Sequence, residues 1–179
     1  MRLLFCLLLV LLLVGCTVVE NTPGTELISL EDTETGKELI LDFRDTEKKV
    51  IQKLGKPYSA NNNEYEYDHL KLQFKEGFLL QFWFDGARYK MKGIGVGSTL
   101  DEVEEAYGHR PTWDNGLEAY HLLYIIENEK LVKSEFAKHE SSINKAYQDE
   151  SKKLTYYILI FNLDENNKIN GINVIGRVS

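Results

Sequence analysis

The 179-residue chain has little of what staples or stiffens small proteins: two cysteines and three prolines. Both cysteines, Cys6 and Cys16, lie in or at the end of an apolar leader, so no internal disulfide is expected and stability must come from packing. Positive charge is also scarce. Twenty-one Lys and Arg face twenty-eight Asp and Glu, giving a formal charge of −7, and loss of a leader containing Arg2 would make the remainder more acidic still. Such a surface repels phosphate backbones and anionic headgroups, which excludes nucleic acid as an expected partner. Long apolar runs are limited to one, Leu3 to Val14, which is shorter than the ~20 residues needed to cross a bilayer.

Catalytic patterns are missing as well. The four histidines, His69, His109, His121 and His139, are scattered, and none stands at ligand spacing from another His or Cys, so no metal site is expected. Gly93-Ile94-Gly95-Val96-Gly97-Ser98-Thr99 has the glycines of an anion-binding turn, but it lacks the lysine of a phosphate loop and the third glycine of a dinucleotide fingerprint. No serine sits in a nucleophile-elbow context. Asp164 to Lys168 lacks the glycine and terminal glutamate of a calcium loop and reads as a hairpin turn. A cofactor-free, non-enzymatic chain is expected.

What is present begins at the N-terminus. Met1-Arg2 gives a minimal positive region, the apolar run follows, and Leu13-Val14-Gly15-Cys16 closes it. This ending resembles the bacterial lipobox, in which small residues precede a cysteine that receives diacylglycerol before cleavage. The resemblance implies a signal peptide at 1–15, lipid on Cys16, and a chain anchored to the extracytoplasmic side of a cell membrane or outer membrane. Two or three acyl chains make a durable anchor, since each buried methylene contributes ~0.8 kcal/mol. Residues 16–37, rich in Thr, Glu, Asp and Gly, read as a lipidated tether.

From about Glu38 the sequence repeats itself. Thr46, Val50 and Gly55 align with Thr99, Val103 and Gly108 at one common offset, and Pro57 and Pro111 follow within a residue of register. Each copy predicts a short helix. Asp45 or Ser98 offers a cap, and Ser98 with Asp101 or Thr99 with Glu102 fits a capping box. The apolar faces are Val50, Ile51 and Leu54 in one copy and Leu100, Val103 and Tyr107 in the other. Gly55 and Gly108 then close the helices.

Strands follow each helix. Glu64 to Tyr67, Leu70 to Phe74 and Phe78 to Phe84 predict an antiparallel meander. Alternation sends Leu70, Leu72, Phe74, Leu80, Phe82 and Phe84 toward the core. Lys71, Gln73, Gln81 and Trp83 fall on the other face. The second copy ends in Leu154 to Asn162 and Ile169 to Val178, with a charged insert at about 127–153 that reads as an amphipathic helix or irregular arm. The expected fold class is therefore α+β, with two tandem units, 38–92 and 93–179, each a short helix followed by an antiparallel β-meander.

The helix ending in Leu54-Gly55-Lys56-Pro57, the meander, and the second unit from Gly93 through Val103 resemble tandem-repeat bacterial lipoproteins. Their fold is similar to that of the β-lactamase-inhibitory protein and of the small outer-membrane assembly lipoprotein of the SmpA/OmlA type. The resemblance implies binding of another envelope protein, in assembly or inhibition, rather than catalysis. Trp83, beside Gln81, Gln73 and Lys71 on a sheet face, is the candidate anchor for that partner. The alternative expectation is capture of a small ligand in an aromatic cleft.

Overall fold

The structure, a computed structural model, describes residues 28–127, 130–133 and 154–177. Cys16 and most of the 127–153 insert lie outside these residues. The described chain runs β1 (Leu30–Asp32), β2 (Lys37–Leu39), α1 (Glu47–Leu54), β3 (Ser59–Asn61), β4 (Glu64–Tyr67), β5 (Leu70–Lys75), β6 (Phe78–Phe84) and β7 (Tyr89–Met91). It continues through α2 (Leu100–Tyr107), β8 (Thr112–Asp114), β9 (Ala119–Glu127), β10 (Lys130–Lys133), β11 (Leu154–Leu163) and β12 (Ile169–Arg177).

The fold is mostly β, which corrects the α+β expectation of two helix-plus-meander units. Both helices are only eight residues long. The strands make two antiparallel sheets: a small one ordered β2-β1-β7, and a large one ordered β10-β9-β11-β12-β6-β5-β4-β3, with β8 pairing β9 beside that path. The physical reason is a non-local pairing. Strands β6 and β12 join through Phe84↔Ile172, Trp83↔Asn173, Phe82↔Val174 and Gln81↔Ile175, so the strands of the two halves merge into one sheet.

Part of the stretch read as tether is folded. Ile28 and Leu30 are fully buried, and β1 is the central strand of the small sheet. Arg88 fastens that sheet to the β4–β5 turn by pairing with Asp32 at 3.0 Å and Asp68 at 3.1 Å. The Arg88 hydrogen bond holds the Asp32 carboxyl below the usual carboxylate range, although burial opposes the shift. Within the insert, Lys130–Lys133 is a strand paired with β9.

Helix α1 starts at Thr46, whose hydroxyl accepts from the Lys49 amide. Helix α2 has the full reciprocal box between Thr99 and Glu102 and closes on Gly108 in the left-handed conformation, φ 74°. Each helix supplies little to the interior: Val50 from α1, Val103 and Tyr107 from α2. The core is made mainly by one face of the large sheet. Phe43 lies against Phe82 and Tyr157, with ring centroids 5.9 and 5.5 Å apart. Tyr107 meets Phe161 at 6.4 Å, and Phe84 meets Tyr89 at 6.2 Å, so helix, small sheet and large sheet share one buried cluster.

One core position differs from simple alternation. The register passes from Gln73↔Gln81 to Phe74↔Leu79, leaving Leu80 as the extra residue of a β-bulge. Leu79, 3 % exposed, therefore takes the inward position expected for Leu80, which is half-buried.

Candidate functional site

The large sheet has a second face, and the four residues singled out from the sequence share it. Lys71 stands opposite Trp83, and Gln73 opposite Gln81, across the β5–β6 pair. All four are half-buried, whereas their neighbours Leu70, Leu72, Phe82 and Phe84 are buried. The Gln81 amide donates to the Gln73 carbonyl oxygen at 2.5 Å. Lys71 pairs with Glu66 at 3.3 Å, and its ammonium lies 5.9 Å from the centroid of the Trp83 ring. A cation at that distance is held by the negative face of the indole, so the lysine stem and the ring fix one another's position.

On its other side Trp83 stands opposite Asn173 of β12. Together with Gln81, Asp85, Asn162, Asn170 and Gly171 these residues line a shallow depression of about 600 Å³. Two local features shape it. A second bulge makes Asn170 the extra residue, since Asn162 pairs Gly171 and Leu163 pairs Ile169. Gly171 then presents no side chain at the next position, leaving a notch between the Asn162 amide and the Phe84 carbonyl. The side-chain oxygen of Asn173 is shut off from solvent and has no hydrogen-bond partner. A smaller depression of about 210 Å³ adjoins Trp83 and Asp85 and includes Tyr58, His69 and Lys71. There the His69 ring lies 3.2 Å from Asp85.

The sequence reading missed Asn162, Asn170, Gly171 and Asn173, because only the β6–β12 pairing brings them to Trp83. It also missed Trp113, which is 49 % exposed beside the Asn115-Gly116 turn and touches Tyr120 edge-on at 5.2 Å. A tryptophan one residue before Asp-Asn-Gly was the signal available for an exposed hairpin position.

The glycine-rich turn before α2 is engaged internally. The Gly97 amide donates to Ile169 at 2.7 Å, the Ser98 amide to Gly95, and Ser98 accepts from the Ile169 amide at 2.8 Å. These bonds dock the turn onto β12, while positive φ at Gly93 and Gly97 (81° and 92°) and the 3.0 Å approach of the Tyr89 carbonyl oxygen to a Cβ at Gly95 account for the glycines. Among the described residues, no three His, Cys, Asp or Glu side chains group as metal ligands, and no helix is long and apolar enough to cross a membrane.

One titratable group is buried on the same sheet face, three strands from Trp83: His121 stands opposite Ile160, Ile160 opposite Asn173, and Asn173 opposite Trp83. His121 is 4 % exposed, and its Nδ1 has no hydrogen-bond partner. Burial holds the imidazole below the usual histidine range, while the Asp114 charge and a backbone hydrogen bond with Thr112 pull the other way. A depressed histidine pKa favours the neutral ring in the folded state. Its contribution is present above the unfolded value of about 6.5 and is lost as pH falls through the folded one. Urea midpoints are therefore expected to drop as pH falls from 7.5 to 5.5. His121→Leu should lose that drop; an equal drop in the variant would assign it elsewhere.

Comparison with protein-family models, with curated proteins and with solved structures gave no match for this chain.

Proposed function

We propose that this protein is a non-enzymatic lipoprotein, anchored through Cys16 to the extracytoplasmic side of a membrane, that binds another envelope protein through the open face of its large sheet. The carrying observation is Trp83. It is a half-exposed indole set among polar side chains on a strand whose other face is core, so it has apolar area to bury without backbone rearrangement. Tryptophan is prominent among residues that dominate binding energy when a partner covers them. The lipobox-like ending of the leader supports the location.

The test is crosslinking and affinity capture with the membrane-tethered, full-length protein, comparing wild type with Trp83→Ala. A partner captured by wild type and reduced at least about tenfold in the variant is expected, equivalent to the ~1.4 kcal/mol or more of a hot-spot residue. Equal capture by both would remove Trp83 from the interface. Robust hydrolase or transferase turnover that a single side-chain change abolishes would contradict the non-enzymatic reading.

A second reading, capture of a small ligand, is favoured by a specific observation: the depression beside Trp83 gathers the amides of Gln81, Asn162, Asn170 and Asn173 around one indole, the combination of aromatic surface and convergent polar groups that fixes a small ligand.

A further inference from the structure

The chemistry of the depression narrows what it can hold. Its lining contains the amides of Gln81, Asn162, Asn170 and Asn173, the indole of Trp83 and the carboxylate of Asp85, with no Lys or Arg. An anionic ligand would meet Asp85 and an acidic protein, and the Lys71 ammonium beside Trp83 is already paired with Glu66. A purely apolar ligand would strip water from four amides and give them no partners. An amide places a donor and an acceptor side by side, and a hydroxyl is itself both, so neighbouring hydroxyl groups match neighbouring amides. A ring with hydroxyls at its rim and C–H bonds on its face adds contact with the flat indole.

We propose that this depression is a binding subsite for a neutral saccharide chain, one sugar ring lying on Trp83 with its hydroxyls directed to Asn162, Asn170 and Asn173. The inference rests on the ligand-capture reading and gives it a ligand class. Gly171 provides the room. A Cβ there would lie 3.7 Å from the Phe84 carbonyl oxygen and 3.8 Å from the Asn162 amide nitrogen, so a methyl fits and anything larger fills the notch. Asn173 provides adaptability, because turning its amide toward a ligand gives up no hydrogen bond at its oxygen. The adjoining depression shares Trp83, Asp85 and the same sheet face, so a second ring has a place beside the first. Both depressions are shallow, and weak single-site affinity follows from the small fraction of ligand surface they cover.

The protein holds two tryptophans, which supplies an internal control. In an amide-detected NMR titration, the indole N–H of Trp83 reports the site and that of Trp113 reports the β8–β9 hairpin, the two being assigned with Trp113→Phe. The probes are the tetramer of N-acetylglucosamine, maltotetraose, and an uncharged Gly/Ser/Asn peptide. At least one tetrasaccharide is expected to shift the Trp83 signal saturably, with a Kd on the order of 0.1–10 mM, while Trp113 stays in place. Gly171→Leu should weaken this at least tenfold, and Asn162→Ala, at an exposed position, keeps the test open if the leucine variant does not fold. No saturable Trp83 shift at about 20 mM of either saccharide overturns the inference, as does unchanged binding by a folded Gly171→Leu protein. A Trp83 shift produced by the peptide alone also overturns it and leaves the protein-docking reading standing; saccharide binding with equal partner capture by Trp83→Ala does the reverse.

Discussion

Gly176→Val is expected to destabilise the protein by about 3 kcal/mol, lowering the melting temperature by about 6–12 °C. The position looks unremarkable in sequence, a glycine near the end of the last strand. In the structure a Cβ at 176 would lie 2.1 Å from Cδ2 of Phe43 and 2.3 Å from its Cγ, distances at which the ring must move. Phe43 cannot move freely. It is 3 % exposed and lies against both Phe82 and Tyr157, so displacing it disturbs the packing of β6 and β11 together. Overpacking of this kind forces off-rotamer side chains and backbone shifts rather than simple compression. Gly176→Ala should show the same effect at smaller size, about 2 kcal/mol. The clash identifies itself through coupling. In the Phe43→Ala background the cost of Gly176→Ala should fall by about half or more, because the colliding Cγ, Cδ2 and Cε2 atoms are gone. Additive losses would mean that the ring is not the obstacle.

Asp45→Ala is the second large loss, expected at about 2–4 kcal/mol by urea denaturation. The carboxylate is fully buried, an unusual place for aspartate unless it is paired. Its oxygens accept from the Asp42 amide at 3.1 Å and pair with Lys49 at 2.7 Å and with Lys53, while Lys53 also donates to the Ile40 carbonyl at 2.6 Å. Asp45 thus closes the turn leading into α1, and its backbone carbonyl accepts from Leu79, fixing the helix start against β6. The lysines are partly exposed and can turn to water once the carboxylate is gone. The cost therefore lies in the hydrogen bond lost from the Asp42 amide and the space left behind. Asp45→Asn keeps the shape and one acceptor, and should cost about half as much as alanine. A loss below about 1 kcal/mol for Asp45→Ala would show that the buried pair is energetically idle.

Local patterns in the sequence were legible where the chain itself supplies the physics. Thr99 and Glu102 form the expected box because each side chain reaches the other's amide, and Gly108 ends α2 in the left-handed conformation, whereas the caps fall on Thr46 and Thr99, one residue after the expected Asp45 and Ser98. Alternation placed Lys71, Gln73, Gln81 and Trp83 on one face because that stretch of β5 and β6 pairs without interruption. It failed at Leu80, since a bulge adds one residue and reverses parity, and bulges have no firm sequence signature here.

The fold class failed for a different reason. A repeated helix signal drew attention to α1 and α2, yet the short strands outnumber them, and the joining of β6 to β12 depends on residues far apart in the chain. The same pairing hid half of the candidate site. Asn162, Asn170, Gly171 and Asn173 are separated from Trp83 along the chain and meet it only across that junction and a second bulge. The stretch before Glu38 was read as tether because it is polar, but Ile28 and Leu30 are two apolar residues at strand spacing and both are buried.

The proposed anchor at Cys16 would decide where any of these surfaces works, and intact-mass and peptide mass spectrometry of the protein from membranes tests it most directly. The expected result is a chain beginning at residue 16, with residues 1–15 removed and Cys16 carrying a thioether-linked diacylglycerol, with or without a third acyl chain. An unmodified Cys16 thiol in a chain that still carries its leader would contradict the proposed location, and with it the proposal that an envelope partner meets the Trp83 face.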